Sequence, residues 1–502
     1  MLADAFVGKN RLTKTSDADR AWKEQLAMHK AQTQTPEQGY GNLDELLRSK
    51  PDLVDHFYND TLAPHAKARA GLTPVPQEQT NWVDEQRAWR NAAVLFDQSH
   101  HMPELFLRGK DAIRLLSHVG VNSFENFVPN RAKQFIACNH EGQVIGETLM
   151  YCHAEDDFEL VSGMPLLNWV EYNAITGGYE VSIERDNHTA GNPTGRRVKF
   201  RFGLDGPHAG TIFKEVIEGD LPDIKFFWAA KVRIAGCEVV ALRHGMAGHK
   251  GVELSGRYED GPIVREAILK AGAPYGIKAG GAVTYFSATA ESAWMASPFP
   301  AIFTSEKLRD YRRWLPANTW EAGAQLGGSF ISPRLEDYYV TPWDLGVEKR
   351  IAFDHDFIGR AALEEMAQNP RRCRRTLIWN AEDVGRIFTS LLEPGLAFKL
   401  LRLPYAAYAY QQYDAVREPS GRIVGNSTFI GYTANEQKIL SLAMMDLDHA
   451  EPGTELVLTW GEPNGGSRKP QVERHRQTEV RVTVAPAPYA QTVRDIKLGR
   501  IS

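Results

Sequence analysis

The pattern of apolar and polar positions divides the chain into three parts, of which the first is mainly polar. Residues 1 to about 80 are helix-prone, and Leu43, Leu46 and Leu47 fall at near-helical spacing. Pro74 and Pro76 then favour an extended linker, because proline has no backbone donor. We therefore expect residues 1–80 to form a helical N-terminal extension.

Residues 81–375 alternate short strand-like runs with amphipathic helical patterns. The pattern predicts strands at Leu105–Leu107, Phe158–Val161 and Cys237–Leu242, and a helix at about 262–271. Such a mixture is typical of an α+β fold. We expect this part of the chain to form an α+β core of two interleaved subdomains.

From residue 376 onward the pattern becomes a succession of short runs of strand-forming residues. Strands are predicted at 376–379, 441–445, 455–460 and 479–484. Short strands separated by turns are typical of a barrel or a sandwich. Residues 376–502 are therefore predicted to form a C-terminal β-rich domain.

The composition is that of an ordinary globular protein. With 502 residues the chain exceeds the roughly 250 to 300 residues of a single core, so we expect two or three domains. Hydrophobic residues make up 43% and charged residues 24%, which excludes a disordered or fibrous chain. The net charge of −5 offers no general basic surface for phosphates, so no nucleic-acid partner is expected.

The sequence gives no sign of a membrane segment or a metal site. Residues 1–28 lack the apolar segment of a secretory signal, and no stretch has the roughly 20 apolar residues of a membrane span. We therefore expect a cytoplasmic protein without a membrane partner. The four cysteines form no CxxC pair and no HExxH motif is present, so no metal is expected. The absence of GxGxxG disfavours a nicotinamide cofactor.

Two short motifs stand out in the core. Phe357–Leu363 has the sequence FIGRAAL, and Gly251–Leu254 has the sequence GVEL. They resemble the FIG-K/R-x-AL signature and the G-[YF]-E-[IL] segment of the glycine-cleavage aminomethyltransferases, or T-proteins. The resemblance implies a multi-domain aminomethyltransferase-like cloverleaf of α+β class with a C-terminal β barrel or sandwich.

Further segments are similar to one branch of that superfamily. They lie at 89–91, 95–102, 242–248, 314–318, 327–330, 336–339 and 460–462. The branch comprises the tetrahydrofolate-dependent aromatic O-demethylases of lignin-derived acids, namely the vanillate and syringate demethylases. The resemblance covers roughly residues 80–490 in collinear order. It implies that the chain moves a methyl group from a methoxylated aromatic acid to tetrahydrofolate, which becomes 5-methyltetrahydrofolate.

Cleavage of an aryl methyl ether requires two things of a protein. The methyl acceptor must be fixed in line with the methyl carbon, and the departing oxygen needs a hydrogen-bond or proton donor. The resemblance places Tyr285 as that donor. A tyrosine hydroxyl has an unperturbed pKa of about 10, near that of a phenol, so proton sharing would be close to balanced. Without the resemblance, a tyrosine in this stretch is more often a core or rim residue.

Three residues are candidates for binding tetrahydrofolate. The resemblance implies that Glu253 contacts the pterin ring, where a carboxylate can accept two N–H bonds. Glu147 falls where the glycine-cleavage relatives have an essential aspartate beside the folate, and its side chain is longer by a methylene. Trp294 follows Tyr285 closely in the chain, and its indole is suited to lie against the pterin face.

Each of these three residues also has a simpler structural interpretation. Glu253 alternates with Val252 and Leu254, which fits a solvent-facing position on a strand. Glu147 either orients the cofactor or pairs with a neighbouring side chain. A tryptophan such as Trp294 is more commonly a core residue.

Gln98, His101 and Arg243 are the candidates for binding the substrate. Gln98 and His101 match positions that face the substrate in the demethylases, where an amide and an imidazole hydrogen-bond a ring hydroxyl or carboxylate. His100 precedes His101, and because adjacent strand residues point apart, we expect only His101 in the pocket. Arg243 precedes a glycine-rich turn that is suited to an anion, with a positive side chain covering a strand end as the alternative.

One departure from the family bears on which acid is the substrate. The vanillate enzymes place an arginine just after the strand that ends here at Val161, whereas this chain has Ser162-Gly163-Met164. A tyrosine that those enzymes carry further upstream has no counterpart near Thr73. Losing a guanidinium frees volume for a second methoxy group, so we expect syringate, giving 3-O-methylgallate.

Four alternatives remain open from the sequence. Two are other aromatic substrates, vanillate and 3-O-methylgallate. Another is an aminomethyltransferase-type enzyme acting on a glycine derivative such as dimethylglycine, and the last is a folate-binding protein without turnover. The turn at Gly465–Lys469 is a further candidate, for the acidic tail of a polyglutamylated folate, although a plain hairpin turn is the simpler interpretation.

Overall fold

The structure is a computed structural model and describes most of the chain. The described residues are 39–61, 74–161, 163–189, 192, 196–245, 251–295, 298–406, 408–409 and 411–497. Most of the predicted N-terminal extension therefore lies outside the described residues. Thr73, Ser162 and residues 246–248 of the 242–248 motif also lie outside the described residues.

The strands are numbered here in chain order. They are β1 (Val94–Asp97), β2 (Glu104–Arg108), β3 (Arg131–Cys138), β4 (Val144–Ala154), β5 (Asp157–Val161), β6 (Ser182–Asp186), β7 (Lys199–Asp205), β8 (Ala229–Ile234), β9 (Cys237–Arg243), β10 (Val252–Arg257), β11 (Lys278–Gly280), β12 (Leu326–Gly327), β13 (Arg372–Trp379), β14 (Tyr405–Ala406), β15 (Gln411–Gln412), β16 (Asp414–Arg417), β17 (Ile423–Thr433), β18 (Lys438–Asp446), β19 (Glu455–Trp460) and β20 (Thr478–Ala485). The seven strands predicted with residue ranges each lie within one of these.

The α-helices of four residues or more are numbered in the same way. They are α1 (Leu43–Arg48), α2 (Trp82–Asn91), α3 (Ala112–Val119), α4 (Met164–Thr176), α5 (Ala209–Val216), α6 (Gly261–Gly272), α7 (Ala282–Ser287), α8 (Thr289–Ser292), α9 (Arg309–Trp314), α10 (Arg360–Gln368), α11 (Ala381–Thr389) and α12 (Gln491–Lys497). The predicted helix at about 262–271 corresponds to α6.

The first sheet is six-stranded, in the order β11-β1-β7-β10-β9-β8. Along β7 the side chains alternate between two faces, as in any strand. Phe200 and Phe202 lie on one face, where they share a buried core with α5 and α6. Arg201 and Gly203 lie on the opposite face, and the antiparallel register pairs Gly203 with Glu253 of β10. One face of this sheet is therefore apolar and the other carries charged residues.

The second sheet is five-stranded and antiparallel, in the order β3-β4-β5-β2-β6. Leu105 and Leu160 pair with each other and face the main hydrophobic core, which includes residues of α3 and α4. The opposite face carries Glu104 and Glu159. Their carboxylates contact Arg201 of the first sheet, so the charged faces of the two sheets meet.

The C-terminal part closes into a β barrel. Six strands pair in the order β17-β16-β19-β20-β13-β18, and β17 also pairs with β18, which closes the ring. A separate hydrophobic core that includes Trp379 and Trp460 fills the barrel. The predictions of an α+β fold and of a C-terminal barrel are confirmed.

The described part of the predicted N-terminal extension packs against the core. Leu43 is fully buried, and its N–H donates to Leu315 O at 2.8 Å. Asp44 lies 3.4 Å from Arg312, whose side chain is also buried. Helix α1 thus belongs to the main core, while the domain boundaries at 80 and 375 stay predictions.

A buried charged cluster joins the barrel to the segment around Gly328. Lys399 Nζ donates to Glu462 Oε1 at 2.6 Å, and Gly328 N–H donates to the same oxygen at 3.1 Å. Ser329 N–H donates to Asp414 Oδ1 at 3.0 Å. Burial raises the pKa of Asp414 to about 6, although Lys399 lowers it. The 327–330 and 460–462 motifs are therefore parts of one structural junction.

We expect this junction to make stability depend on pH. Because the folded-state pKa of Asp414 is raised from 3.8 to about 6, its contribution to stability is complete below 3.8 and is lost as the pH rises through about 6. The shift corresponds to ~3 kcal/mol. The free energy of unfolding of the wild type should therefore fall relative to Asp414→Asn between pH 4 and pH 8, as measured by urea denaturation. Asp448→Asn, at an exposed position, is the control, and parallel pH profiles for wild type and Asp414→Asn would contradict the prediction.

Candidate active site

Arg201 is the centre of the layer between the two sheets. Its Nη2 donates to Glu104 Oε1 at 2.9 Å and to Glu159 Oε1 at 2.6 Å, and its Nη1 donates to Glu253 Oε1. The side chain is 1% exposed. One guanidinium therefore binds three carboxylates from three strands, β2, β5 and β10.

The surroundings of these carboxylates set their charge. Burial raises the pKa of Glu104, and Arg201 offsets part of that increase. At Glu159 the effect of burial is exceeded by Lys199, His153 and Arg201, which hold its pKa well below the usual value. The layer between the sheets therefore holds one guanidinium and three carboxyl groups that are shielded from solvent.

Glu253 is oriented within this array by two donors. Its Oε1 accepts hydrogen bonds from Tyr151 Oη, at 2.7 Å, and from Arg201. Its Oε2 lies 3.8 Å from His244 Nδ1 and accepts no hydrogen bond from the described residues. Glu253 is 6% exposed, so the alternative of a solvent-facing strand position is wrong. The carboxylate has one oxygen held by the protein and the other available for a donor.

Tyr285 lies on α7 and is surrounded by aromatic rings. Its ring contacts those of His101 and Phe96 at centroid distances of 4.8 and 5.4 Å. The Gln98 amide donates to its hydroxyl at 3.5 Å. Burial, with a further contribution from the negative charge of Glu253, raises the pKa of Tyr285 above its usual value. The hydroxyl is therefore protonated at neutral pH and can donate a hydrogen bond, but its raised pKa removes the expected balance with a phenol.

Gln98 and His101 reach Tyr285 from the turn that follows β1. Gln98 is 2% exposed and lies against Gly203, where a Cβ would come within 3.2 Å of Nε2. Gln98 Oε1 is buried and has no hydrogen-bond partner among the described residues. His100 contacts Thr189 Oγ1 instead, at 2.9 Å.

The expectation that the two histidines lie on a strand is wrong, because residues 99–101 form a turn. The side chains of a tight turn also diverge, and in this turn His101 faces Tyr285 while His100 does not. The only sequence signal for a turn at the end of β1 is the short run Asp97-Gln98-Ser99. Because this run is so short, the pattern of apolar and polar residues did not distinguish a turn from a continuing strand. Substrate binding by Gln98 and His101 stays a prediction.

Glu147 and Trp294, both assigned to the cofactor, contact each other. Trp294 Nε1 donates to Glu147 Oε1, and the Gln134 amide donates to Oε2. Burial raises the pKa of Glu147, although both hydrogen bonds oppose the increase. Of the two alternatives for Glu147, the structure shows the pairing with neighbours, and contact with a cofactor stays a prediction.

Glu147 and Glu253 line the same layer. Every second residue of β4 lies on the same face, so this face carries Glu147, Leu149 and Tyr151. At the usual strand rise, the Cα atoms of Glu147 and Tyr151 are about 13 Å apart. Tyr151 in turn binds Glu253. Leu149 and Phe227 are partly buried in the apolar cluster around Tyr151. An apolar stretch thus lies between two buried carboxylates, an arrangement that suits a flat heterocycle with N–H donors at its edge.

Arg243 has a structural contact. Its Nη1 donates to Ile224 O at 3.0 Å. Among the described residues, it forms no hydrogen bond with Tyr285, Gln98 or His101. Most of the glycine-rich turn predicted after Arg243 lies outside the described residues, from 246 to 250. Binding of the substrate carboxylate by Arg243 stays a prediction.

The turn at Gly465–Lys469 uses its positive charges within the chain. Arg468 forms an ion pair with Asp55 at 2.6 Å. Lys469 Nζ is buried and donates to Leu326 O at 3.0 Å. The segment is a short helical turn at Pro463–Gly465, followed by a loop that closes against the N-terminal part of the chain.

The sequence pattern missed Arg201, Tyr151 and Gln134. Arg201 had a usable signal, since it stands between Phe200 and Phe202 in an alternating strand and must face away from them. Its partners come from β2, β5 and β10, and periodicity contains no information about contacts so distant along the chain.

A partly open pocket of about 760 Å³ is lined by residues of the C-terminal barrel and of α11. Trp379, Phe388 and Tyr432 are among its lining residues, together with Arg481. Arg481 is already paired with Asp383 and Glu382, at 2.8 Å each. The pocket offers no arrangement of reactive groups comparable to that around Tyr285.

We expect Trp294→Phe to weaken tetrahydrofolate binding about fivefold to tenfold, because the smaller ring buries less area and leaves Glu147 without its indole donor. The kcat at saturating cofactor should stay within about twofold. Isothermal titration calorimetry measures the first quantity and steady-state kinetics the second. Trp379→Phe is a matched control, since its Nε1 also bonds a side chain, Ser441 Oγ at 3.0 Å, but lies in the barrel. An unchanged Kd for Trp294→Phe would remove the indole from the cofactor site.

Comparison with known proteins gives consistent results. The model of the GCVT N-terminal domain family matches residues 56–297. A syringate O-demethylase of Sphingobium sp. strain SYK-6 is 43% identical over 453 residues, which are 90% of this chain and 97% of the relative. A sesamin methylene transferase of Sinomonas sp. is 28% identical and covers 76% of this chain and 82% of the relative.

An aminomethyltransferase of Caldanaerobacter subterraneus is 30% identical over 61% of this chain and 70% of the relative. Among solved structures, the glycine cleavage system aminomethyltransferase T of Bartonella henselae superposes with a TM-score of 0.53 at 17% identity, covering 85% of this chain and 96% of that one. This likeness establishes the fold. Within the described residues, no helix is both long and apolar enough to cross a membrane.

Proposed function

The chain belongs to the tetrahydrofolate-dependent aromatic O-demethylases of the glycine-cleavage aminomethyltransferase superfamily, and on this premise we propose that it demethylates syringate to 3-O-methylgallate. Tetrahydrofolate is the methyl acceptor and leaves as 5-methyltetrahydrofolate. The observation that carries the proposal is the convergence of Tyr285, Gln98 and His101 beside the buried carboxylate of Glu253.

The layer between the sheets fits a reduced pterin. Glu253 Oε2 is available to N–H donors, while Oε1 is held by Tyr151 and Arg201. The apolar stretch of Leu149 and Phe227 offers a surface for a flat ring. Glu147 and Trp294 would bound the ring at the other end. Bound tetrahydrofolate supplies the nitrogen that receives the methyl group.

Tyr285 acts at the ether oxygen. Its raised pKa keeps the proton on Oη, so the hydroxyl acts first as a hydrogen-bond donor to the ether oxygen, where negative charge develops as the bond to the methyl carbon breaks. The bonding electrons stay on the departing oxygen, which takes a proton from Tyr285 in place of leaving as a bare phenolate. The acceptor nitrogen would lose one proton on methylation, so Tyr285 regains a proton and none is consumed overall. The Gln98 amide, which donates to Oη, fixes the direction in which the hydroxyl donates.

Gln98 and His101 are proposed to orient the ring through its hydroxyl or carboxylate, and Arg243 remains the proposed partner of the carboxylate. We also propose a cytoplasmic location. Four free cysteines, of which Cys138, Cys152 and Cys237 are buried, are in keeping with a reducing compartment.

The proposal is tested by incubating the purified protein with tetrahydrofolate and each of syringate, vanillate, 3-O-methylgallate and dimethylglycine. Chromatography then measures the demethylated phenol and methyltetrahydrofolate. We expect the highest kcat/KM with syringate and no product when tetrahydrofolate is left out. Turnover of dimethylglycine alone would establish the aminomethyltransferase alternative. Binding of tetrahydrofolate without turnover of any compound would establish a non-catalytic folate-binding protein.

A further inference from the structure

A short segment, residues 74–80, crosses the first turn of the helix that carries Tyr285. We name this segment the strap. Pro76 O accepts a hydrogen bond from Ala282 N–H, and Gln77 O accepts one from Val283 N–H, both at 3.0 Å. The strap is therefore attached through its backbone to the start of α7, a few residues from the reacting hydroxyl.

A buried carboxylate fixes the strap to the same helix. Glu85 Oε1 accepts hydrogen bonds from Gln79 N–H and Thr80 N–H, both at 2.8 Å. Its Oε2 accepts hydrogen bonds from Gly281 N–H at 2.8 Å and from Thr284 Oγ1 at 2.6 Å. Thr80 Oγ1 also donates to Oε1, at 3.4 Å. Glu85 is fully buried, so these five hydrogen bonds hold the strap and α7 in one relative position.

Val75 is the one strap residue that turns inward, since residues 74 and 76–80 are exposed and Val75 is half-buried. It lines a small space of about 10 Å³ together with His101, Tyr285, Phe286 and Asp97. Valine is branched at Cβ and has few rotamers. Its side chain is thus a rigid apolar part of the lining of the space that Tyr285 also lines.

We propose that Val75 is a specificity-determining residue and that its isopropyl group is the wall against which the second ortho substituent of the phenol ring lies. This inference rests on the proposed function. The space beside Tyr285 is small, and one methylene in an apolar pocket changes kcat/KM by about 10- to 200-fold. The size of residue 75 therefore sets how many methoxy groups the ring can carry.

The test compares Val75→Phe with wild type on syringate, which has two methoxy groups, and on vanillate, which has one. We expect Val75→Phe to lower kcat/KM for syringate at least about tenfold more than for vanillate. Val75→Ala should act in the opposite sense and raise the kcat/KM for 3-ethoxy-4-hydroxy-5-methoxybenzoate, whose second ortho substituent is bulkier, relative to that for syringate. A folding defect would lower all values together, so the ratio between substrates is the readout.

Gln77→Phe is the matched control, because it places the same ring on the exposed side of the same strap and should leave the ratio unchanged. Ratios within twofold of wild type for both Val75 variants, or an equal shift in Gln77→Phe, would overturn the proposal. Should the wild type demethylate neither acid, the proposed function fails. The comparison is then made on the Kd values of the two acids measured by calorimetry, where an unchanged ratio in Val75→Phe overturns the role of Val75.

Discussion

Tyr285→Phe is expected to lower kcat by about 10²- to 10⁴-fold, the range that a positioned acid contributes. Phenylalanine keeps the ring that packs on Phe96 and His101 and removes only the hydroxyl. The departing oxygen then leaves without a proton donor. Because the tetrahydrofolate contacts proposed for Glu253 do not involve this hydroxyl, the Kd for the cofactor should stay within about twofold. Stopped-time assays and calorimetry measure the two quantities.

Tyr275→Phe is the control for this substitution. Tyr275 also donates its hydroxyl to a side chain, that of Glu215, but this hydrogen bond is exposed and lies outside the charged layer. Its kcat should equal that of wild type. A kcat for Tyr285→Phe within threefold of wild type would exclude Tyr285 as the donor.

Arg201→Met is expected to lower the free energy of unfolding by about 3 to 5 kcal/mol, as is usual when one partner of a buried ion pair is removed. Three carboxylates, those of Glu104, Glu159 and Glu253, share this guanidinium. Methionine fills a comparable volume, so the loss reflects mainly the uncompensated negative charge. Urea denaturation followed by circular dichroism measures the difference.

Arg481→Met provides the comparison at the surface. Arg481 also binds two carboxylates, but its side chain is 58% exposed, and exposed ion pairs contribute about 0 to 1 kcal/mol. A loss below about 1 kcal/mol for Arg201→Met, equal to that of Arg481→Met, would contradict the account of the charged layer.

Much of the fold could be predicted from the sequence because it depends on local alternation. The strand at 237–242, the helix at about 262–271 and the barrel strands at 455–460 and 479–484 all have clear periods, and the structure confirms them. The turn at 99–101 was missed because two neighbouring histidines have the same pattern on a short strand as in a turn.

The site could be predicted only as far as the family resemblance reaches. Tyr285, Gln98 and His101 are placed together by the structure, as are Glu147 and Trp294. Arg201 and Glu85 were not found, since their partners are backbone N–H groups and carboxylates from distant strands. Such contacts depend on tertiary packing, and the periodicity of residues along the chain gives no information about it.

The proposed reaction moves a methyl group intact from an aryl ether to tetrahydrofolate. Mass spectrometry of a reaction with syringate carrying fully deuterated methoxy groups follows that methyl group. We expect all deuterium atoms of one methyl group to appear in 5-methyltetrahydrofolate, in a yield equal to that of 3-O-methylgallate. Unlabelled 5-methyltetrahydrofolate, or release of the label as formaldehyde, would exclude this transfer.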